Sequence, residues 1–437
     1  MVANTKGEAV NDKDRVLYDC GPIGPKVLKH DLLNPMHLRY TARLDHEIDG
    51  DLLREAWERT KRVYPILDCV LEFDDGDADL YRDPSWRERH DPGNVYFKRA
   101  EGGSNVPVKS KAPMAPGTDA VGKRLIAITY YGDTIWASVF HSLVDGGGFK
   151  QVFSTLIYSY LASYTGHEDE RPVVELREGR PVEEYYVPIE PRKLLEQEYT
   201  DVPLYAAPLP DGMNGFQDKD MRNDKGSVYI GVMYVDAGDF MHLCKSNGAN
   251  PSAMTAALFG RAAYALNPDQ QEDIVFEFTI SSRSVLGLED SIANVAIGGF
   301  SYATRDDIEH KPLSEVTQRI RSELDAQRTR DYTISFVKHA RVEGHMPTYI
   351  PFIITYMGRQ TIGDNDKHVI DMGPIAIGAC TVYLTQTNDH FAVVPLFGRA
   401  TQKFLDELDG IFAELGVRAR IVQQAHPVGL DVETPVL

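Results

Sequence analysis

The chain has 437 residues, 43% of them hydrophobic, enough for one large core or two medium ones, with two subdomains the default at this length. Its 65 Asp and Glu outweigh 46 Lys and Arg to give a net charge of −19, and no Lys/Arg cluster offers the basic footprint that a phosphate backbone demands, which excludes a nucleic-acid partner. Cys20, Cys69, Cys244 and Cys380 show no C-x-x-C spacing, the amino-terminal stretch lacks an apolar signal core, and no segment reaches the ~20 apolar residues of a bilayer span; free, mostly buried thiols in a soluble, unsecreted cytoplasmic protein are expected.

In chain order, residues 1–15 are polar. Leu38–Leu44 reads as a strand, and Asp49-Gly50 opens a helix with Leu52, Leu53, Ala56, Trp57, Thr60 and Val63 on one face, stopped by Pro65. Ile66–Phe73 is the next strand, and residues 74–95 are turn-rich. Two apolar runs, Arg124–Tyr130 and Thr134–Phe140, flank Gly132-Asp133 and predict a hairpin whose second strand ends at His141. The period then changes: Phe149, Val152, Phe153, Leu156, Ile157, Tyr160 and Leu161 predict a helix with one buried face. Between them Gly146, Gly147 and Gly148 allow positive φ and close backbone approach, leaving a gap above the imidazole.

Residues 166–225, rich in Glu, Pro and Asp, read as the connection between the halves, and its tyrosines suggest that it packs along the surface. A strand at Ser227–Val235 follows, then a helix at Ala237–Ser246 closed by Gly248, and a helix capped by Asn250 with Pro251 at its first position, running to Leu266. Asp273–Ser281 is an apolar strand ending at Ser282-Arg283-Ser284. Helices at 312–330 and 332–343, strands at Phe352–Tyr356, 376–386 and 391–396, and a last helix carrying Phe404, Leu405, Leu408, Ile411, Phe412 and Leu415 complete the pattern. The division falls at 1–200, whose tail from about 167 is linker, and 201–437.

The motif His141-x-x-x-Asp145-Gly146 is short enough to arise by chance, but its placement between a hairpin strand and an amphipathic helix resembles the chloramphenicol acetyltransferase-like superfamily, which includes condensation domains, alcohol acetyltransferases and polyketide-associated acyltransferases. The earlier run IDGDLLREAW, followed by YPIL, is similar to the opening of condensation-like proteins. The resemblance implies an α+β fold of two subdomains, each a mixed sheet flanked by helices, with a channel between them. It implies acyl transfer from an acyl-CoA or phosphopantetheine thioester to an alcohol or amine, with no permanently bound cofactor and no metal. A small-molecule acceptor, or an acyl or peptidyl carrier protein, would be the partner of a monomeric enzyme.

An alcohol or amine attacking a thioester must lose a proton, and a neutral imidazole suits that task, which makes His141 the candidate base. The resemblance gives Asp145 a structural role, with Arg283 as its partner from the other half, and Gly146 room for the backbone under the ring. Tyr356 and Thr355 are candidates for contacts to a tetrahedral oxyanion or to substrate. The plainer alternatives are a satisfied turn histidine, an ordinary interface arginine, and strand residues that merely pack.

Two departures narrow the resemblance. Condensation domains carry two adjacent histidines where this chain has Phe140 and His141, and the Asp-Phe-Gly-Trp-Gly signature of plant acyltransferases is absent, with ITYMGR at 354–359 in the comparable place. His339-x-x-x-Glu343-Gly344 echoes the motif in a charged helical context, and Leu286–Ile292 is similar to a carrier's serine site but one residue too long. A catalytically silent scaffold or binding protein, and a thioesterase using water as acceptor, stand as alternatives.

Overall fold

The computed structural model describes residues 16–19, 37–73, 95–100, 105–118, 121–204, 228–343, 352–376 and 381–428. In the first half these form β1 (Val16–Asp19), β2 (Leu38–Leu44), α1 (Gly50–Val63), β3 (Cys69–Phe73), β4 (Val95–Arg99), β5 (Val108–Lys109), β6 (Ile126–Tyr131), β7 (Thr134–Val139) and α2 (Gly146–Thr165). The second half supplies β8 (Val228–Asp236), α3 (Ala237–Ser246), α4 (Pro251–Leu266), β9 (Ile274–Ser281), β10 (Ala296–Ala303), α5 (Leu313–Gln327), α6 (Arg330–Phe336), β11 (Phe352–Gln360), β12 (Val369–Ala376), β13 (Thr381–Thr387), β14 (His390–Phe397), α7 (Thr401–Glu414) and β15 (Ala419–Val428).

Local chemistry explains the first elements. The Asp49 carboxylate accepts from the N–H groups of Asp51 and Leu52, satisfying donors that a helix start leaves open, and α1 then buries Leu53, Ala56, Trp57 and Thr60. The buried indole N–H of Trp57 donates to the Asn105 carbonyl at 2.7 Å, so the largest side chain of α1 enters the core with its polar atom satisfied. α2 is buried on nearly every face, not on the single face its period predicts, because it is covered by α1 on one side and by β2 on another.

Among the described residues three sheets organise the fold. The first half carries five strands in the order β12-β2-β7-β6-β5, beside a small sheet β1-β4-β3, and the second half carries seven in the order β10-β9-β11-β13-β14-β8-β15. Both large sheets are mixed: β5 runs parallel to β6, and β11 runs parallel to β9 and β13, among otherwise antiparallel pairs. The end strand β12 comes from the second half and pairs antiparallel with β2, from Val369 opposite Leu44 to Ala376 opposite Leu38. Each half has its own core, and an apolar layer including Trp136 of β7, Ile375 of β12, Tyr234 of β8 and Tyr383 of β13 joins the two sheets.

Several expectations need revision. Residues 65–68 form a tight 3₁₀ turn, so the strand begins at Cys69 rather than Ile66. Two tyrosines of the connection, Tyr185 and Tyr186, reach into the core: the Tyr185 hydroxyl accepts from the Ile66 N–H at 3.2 Å, and the Tyr186 hydroxyl donates to the Leu143 carbonyl at 2.8 Å. The helix read over 332–343 is α6 followed by a wider π turn at Val337–Val342. Strands β10, β12 and β15 escaped the pattern reading, and the strand placed at 376–386 starts at Thr381. Cys69 and Cys244 are buried free thiols, with burial pushing Cys244 up to about 12, whereas Cys20 and Cys380 lie outside the described residues.

One buried acid makes stability depend on pH. Glu277 of β9 is enclosed beside Gly298 and the Tyr332 ring, and burial raises its carboxyl from 4.5 to about 7. The folded state therefore holds a proton that the unfolded state has already released, so this group's contribution is full below about pH 4.5 and is lost as pH rises through about 7. Glu277→Gln is expected to flatten the fall in unfolding free energy between pH 5 and 7.5 in urea titrations; an unchanged slope would refute this account.

Candidate active site

Strand β7 ends at Val139, and residues 140–145 carry the chain to the start of α2. This short loop is pinned throughout. The Tyr186 hydroxyl donates to the Leu143 carbonyl at 2.8 Å, the Tyr40 hydroxyl to the Gly146 carbonyl at 3.0 Å, and the Asn294 amide to the His141 carbonyl at 3.0 Å. The His141 ring, partly exposed, has Nδ1 at 3.0 Å from the Val144 carbonyl. A carbonyl only accepts, so the Val144 contact calls for a proton on Nδ1, while the Asn294 amide nitrogen, a donor, lies 3.1 Å from the same atom.

Asp145 is the N-cap of α2 and is 1% exposed. Its Oδ1 accepts from Gly148 N–H at 2.7 Å and from Arg283 Nη2 at 2.7 Å, while Oδ2 accepts from Arg283 Nη1 at 3.0 Å and from Val295 N–H at 3.0 Å. The remaining guanidinium donors reach the carbonyls of Ser291 and Ala293 and the Ser281 hydroxyl. Every N–H of Arg283 thus has an acceptor, and the carboxylate has four donors, the condition under which a buried ion pair is tolerable. The pairing expected between Asp145 and Arg283 is present, and it spans the two halves.

Of the three glycines, Gly147 and Gly148 are required, for a reason other than the one expected. None of them has positive φ; they lie in the first turn of α2. A Cβ on Gly148 would sit 2.0 Å from the Ile292 carbonyl oxygen, and one on Gly147 3.0 Å from Arg283 Nη1. They are small so that the segment carrying Ile292 can press against the helix start and let Arg283 reach Asp145.

Beside the loop lies a cavity of about 260 Å³ walled by both halves. His141, Asp145, Gly146, Gly147 and Leu38 line one side, Thr279, Ser281, Arg283, Ala296, Thr355, Tyr356, Met357 and Tyr383 the other, with Lys150 and the crossover residue Pro374 between them. All six sequence candidates, His141, Asp145, Gly146, Arg283, Thr355 and Tyr356, are therefore gathered at one place. The Thr355 hydroxyl is 3.0 Å from that of Thr279, and burial pushes the Tyr356 phenol up, keeping it protonated as a donor.

Thr279, Ser281, Asn294 and Lys150 were not anticipated. Thr279 and Ser281 alternate with buried Phe278 and Ile280, so a period of two at the end of β9 was the available signal. Lys150 donates to the carbonyls of Met357 at 3.0 Å and Arg359 at 2.7 Å, where β11 bulges, and burial lowers its ammonium to about 8. The decoys resolve as structure: His339 is paired with Glu343 and Asp201, and Ser291 is buried with its hydroxyl on the Val187 carbonyl.

No protein-family model matches the sequence, and no curated protein matches it significantly. Solved structures do. Polyketide synthase associated protein 5 from Mycobacterium tuberculosis superposes with a TM-score of 0.61 at 13% identity, over 91% of this chain and 96% of that one. The first condensation domain of the calcium-dependent antibiotic synthetase gives 0.60 at 13%, over 90% and 95%. TRI101 of F. graminearum, solved with coenzyme A and T-2 mycotoxin, gives 0.59 at 11%, over 95% and 100%. The chain has the chloramphenicol acetyltransferase-like fold.

Two consequences are measurable. Asp145→Asn breaks a buried pair from one side and is expected to cost about 3–5 kcal/mol in urea unfolding, with the double variant Asp145→Asn/Arg283→Met costing less than the sum of its singles. Gly148→Ala, forced against the Ile292 carbonyl, is expected to lower stability by at least about 2 kcal/mol, whereas Gly146→Ala, whose Cβ would meet only the Met357 side chain at 3.4 Å, stays within about 1 kcal/mol of the parent.

Proposed function

We propose that the protein is an acyltransferase that moves an acyl group from a thioester, acyl-CoA or carrier-bound, to an alcohol or amine, with His141 as general base and no covalent acyl-enzyme. The observation that carries this reading is the His141 ring, its Nδ1 fixed between the Val144 carbonyl and the Asn294 amide and the ring lining a cavity walled by both halves. The acceptor's proton passes to Nε2 as its oxygen or nitrogen bonds to the thioester carbonyl, whose π electrons move onto oxygen. The tetrahedral adduct then collapses, the C–S bond breaks, and sulfur leaves as a thiol with the proton returned by the imidazolium. Thr355, Thr279 and Tyr356 hydroxyls are suited to receive the oxyanion. Asp145, Gly146 and Arg283 hold the loop and touch no reacting atom.

The chain would act as a monomer in the cytoplasm, its two functional halves, 1–200 and 201–437, bracketing the channel. Among the described residues no helix is long and apolar enough to cross a membrane. A neighbour bound to coenzyme A and a mycotoxin favours a coenzyme A donor and a small-molecule acceptor, and the condensation-domain neighbour keeps a carrier-protein donor in view. The test is a panel of acyl-CoA and acyl-pantetheine donors with thiol release followed against alcohol and amine pools. His141→Ala is expected to lose at least about 100-fold in turnover with an unchanged unfolding midpoint. Retained turnover removes the base role, and equal release of free acid with and without acceptor turns the enzyme into a thioesterase.

A further inference from the structure

At the far end of α2 from the cavity, the chain leaves the helix through Gly166, whose φ of 67° closes it, and runs into His167 and Asp169. The segment that feeds the crossover strand passes directly beside them: Asp364 N–H donates to Asp169 Oδ2 at 3.2 Å. Gly363 makes this approach possible, since a Cβ there would lie 1.9 Å from the same oxygen, and its φ of 99° suits glycine alone. The Asp169 backbone is held as well, its N–H donating to the Tyr158 hydroxyl at 2.9 Å. The carboxylate is thus placed by its surroundings rather than by chance.

Its other oxygen is the anomaly. The Asp169 side chain is 8% exposed, and Oδ1 is fully enclosed with no hydrogen-bond partner among the described residues. Buried carboxylate oxygens are ordinarily satisfied, and an exception needs a cause. Oδ1 faces His167 Nε2 at 3.7 Å, and the same nitrogen lies 3.5 Å from Asp364 Oδ2, with all three atoms within 4.8 Å of one another. Those separations are long for hydrogen bonds. They approach the spacing of about 3.4 Å between ligand atoms that each sit about 2.1 Å from a tetrahedral metal ion.

We propose that His167, Asp169 and Asp364 form a binding site for a first-row divalent cation of the zinc class, clasping the crossover segment to the end of α2. One imidazole and two carboxylates make a borderline ligand set, short of the six to eight oxygens that calcium takes, and the exposed side of the site leaves room for water as a fourth ligand. A second His/Asp group, Asp45 with His46 and His368, differs in kind. There the two rings contact the carboxylate at 2.6 and 2.9 Å, and His46 is stacked on Tyr164 at 3.7 Å, so its groups are satisfied by one another. The clasp lies one 20-residue helix, ~30 Å, away from Asp145 and takes no part in the chemistry proposed above.

The test uses the full chain, stripped with EDTA and titrated with zinc chloride against a chromophoric chelator, with unfolding midpoints recorded alongside and cobalt(II) as a spectroscopic probe. One equivalent of zinc is expected to bind, raising the midpoint by about 3 °C at a hundredfold excess over Kd, and cobalt should give d–d bands of low coordination number. His167→Ala and Asp364→Asn replace exposed side chains, leave the fold standing, and should each weaken zinc at least tenfold. Absence of stoichiometric binding overturns the proposal, as does binding that survives both substitutions or is lost only in His46→Ala.

Discussion

The structure turns on one buried ion pair. Asp145 and Arg283 lie 138 positions apart in the chain, yet both are withdrawn from water and all their hydrogen-bonding capacity is used. Taking two charges out of water costs several kcal/mol for each ion, and the mutual attraction offsets that only if the other lone pairs and protons also find partners. Here they do, because Asp145 is at once a helix cap and the acceptor of the Val295 N–H, while Arg283 reaches two backbone carbonyls. Such a pair adds little net stability over apolar packing. What it supplies is orientation: any other seating of the halves leaves a charge buried without a partner.

That orientation reaches His141 through the backbone. The loop between β7 and α2 has only six residues, 140–145, and its last one is the carboxylate that Arg283 holds. Its first, Phe140, is 3% exposed and stacked on His37 at 5.1 Å, so the position where condensation domains carry another histidine is filled here by an apolar ring in the core. Only one imidazole of the motif reaches the cavity. That ring is held from two sides, its Nδ1 lying 3.0 Å from the Val144 carbonyl and 3.1 Å from the Asn294 amide nitrogen.

What was legible in the chain followed from local rules. The hairpin, the caps at Asp49 and Asn250, the position of α2, and the strand leading to Arg283 each have causes within a few residues of themselves, and the structure has them where those causes predict. The strands missed are those whose stability is not local. β12 contains Asp371, Gly373 and Pro374, poor strand formers, and exists because β2 offers it an edge and because Asp371, fully buried, is met by the Tyr234 hydroxyl at 2.5 Å and by Thr387. β10 carries two glycines, and Gly299 is pressed to within 2.3 Å of the Ile280 side chain at its missing Cβ. Propensity argues against both strands, and tertiary contact overrides it. The same limit hid Thr279 and Lys150, whose importance appears only when β9, β11 and α2 are brought to one cavity.

The cavity is bounded by three ties of different chemistry. Arg283 to Asp145 is an ion pair, Lys150 to the Met357 and Arg359 carbonyls is a charge-assisted clamp from α2 onto β11, and β12 to β2 is a full backbone ladder. Sliding the halves apart would break all three together, and the first two would leave charges in a poorly solvated place. A gap held open in this way cannot close simply by sheet-on-sheet collapse, since the lining side chains are anchored from both walls. Preorganisation of that kind is what a direct two-substrate transfer requires. In the transfer proposed above, donor and acceptor would meet at one nitrogen whose position is set before either arrives, so that reorganisation is met once, during folding, and not at each turnover.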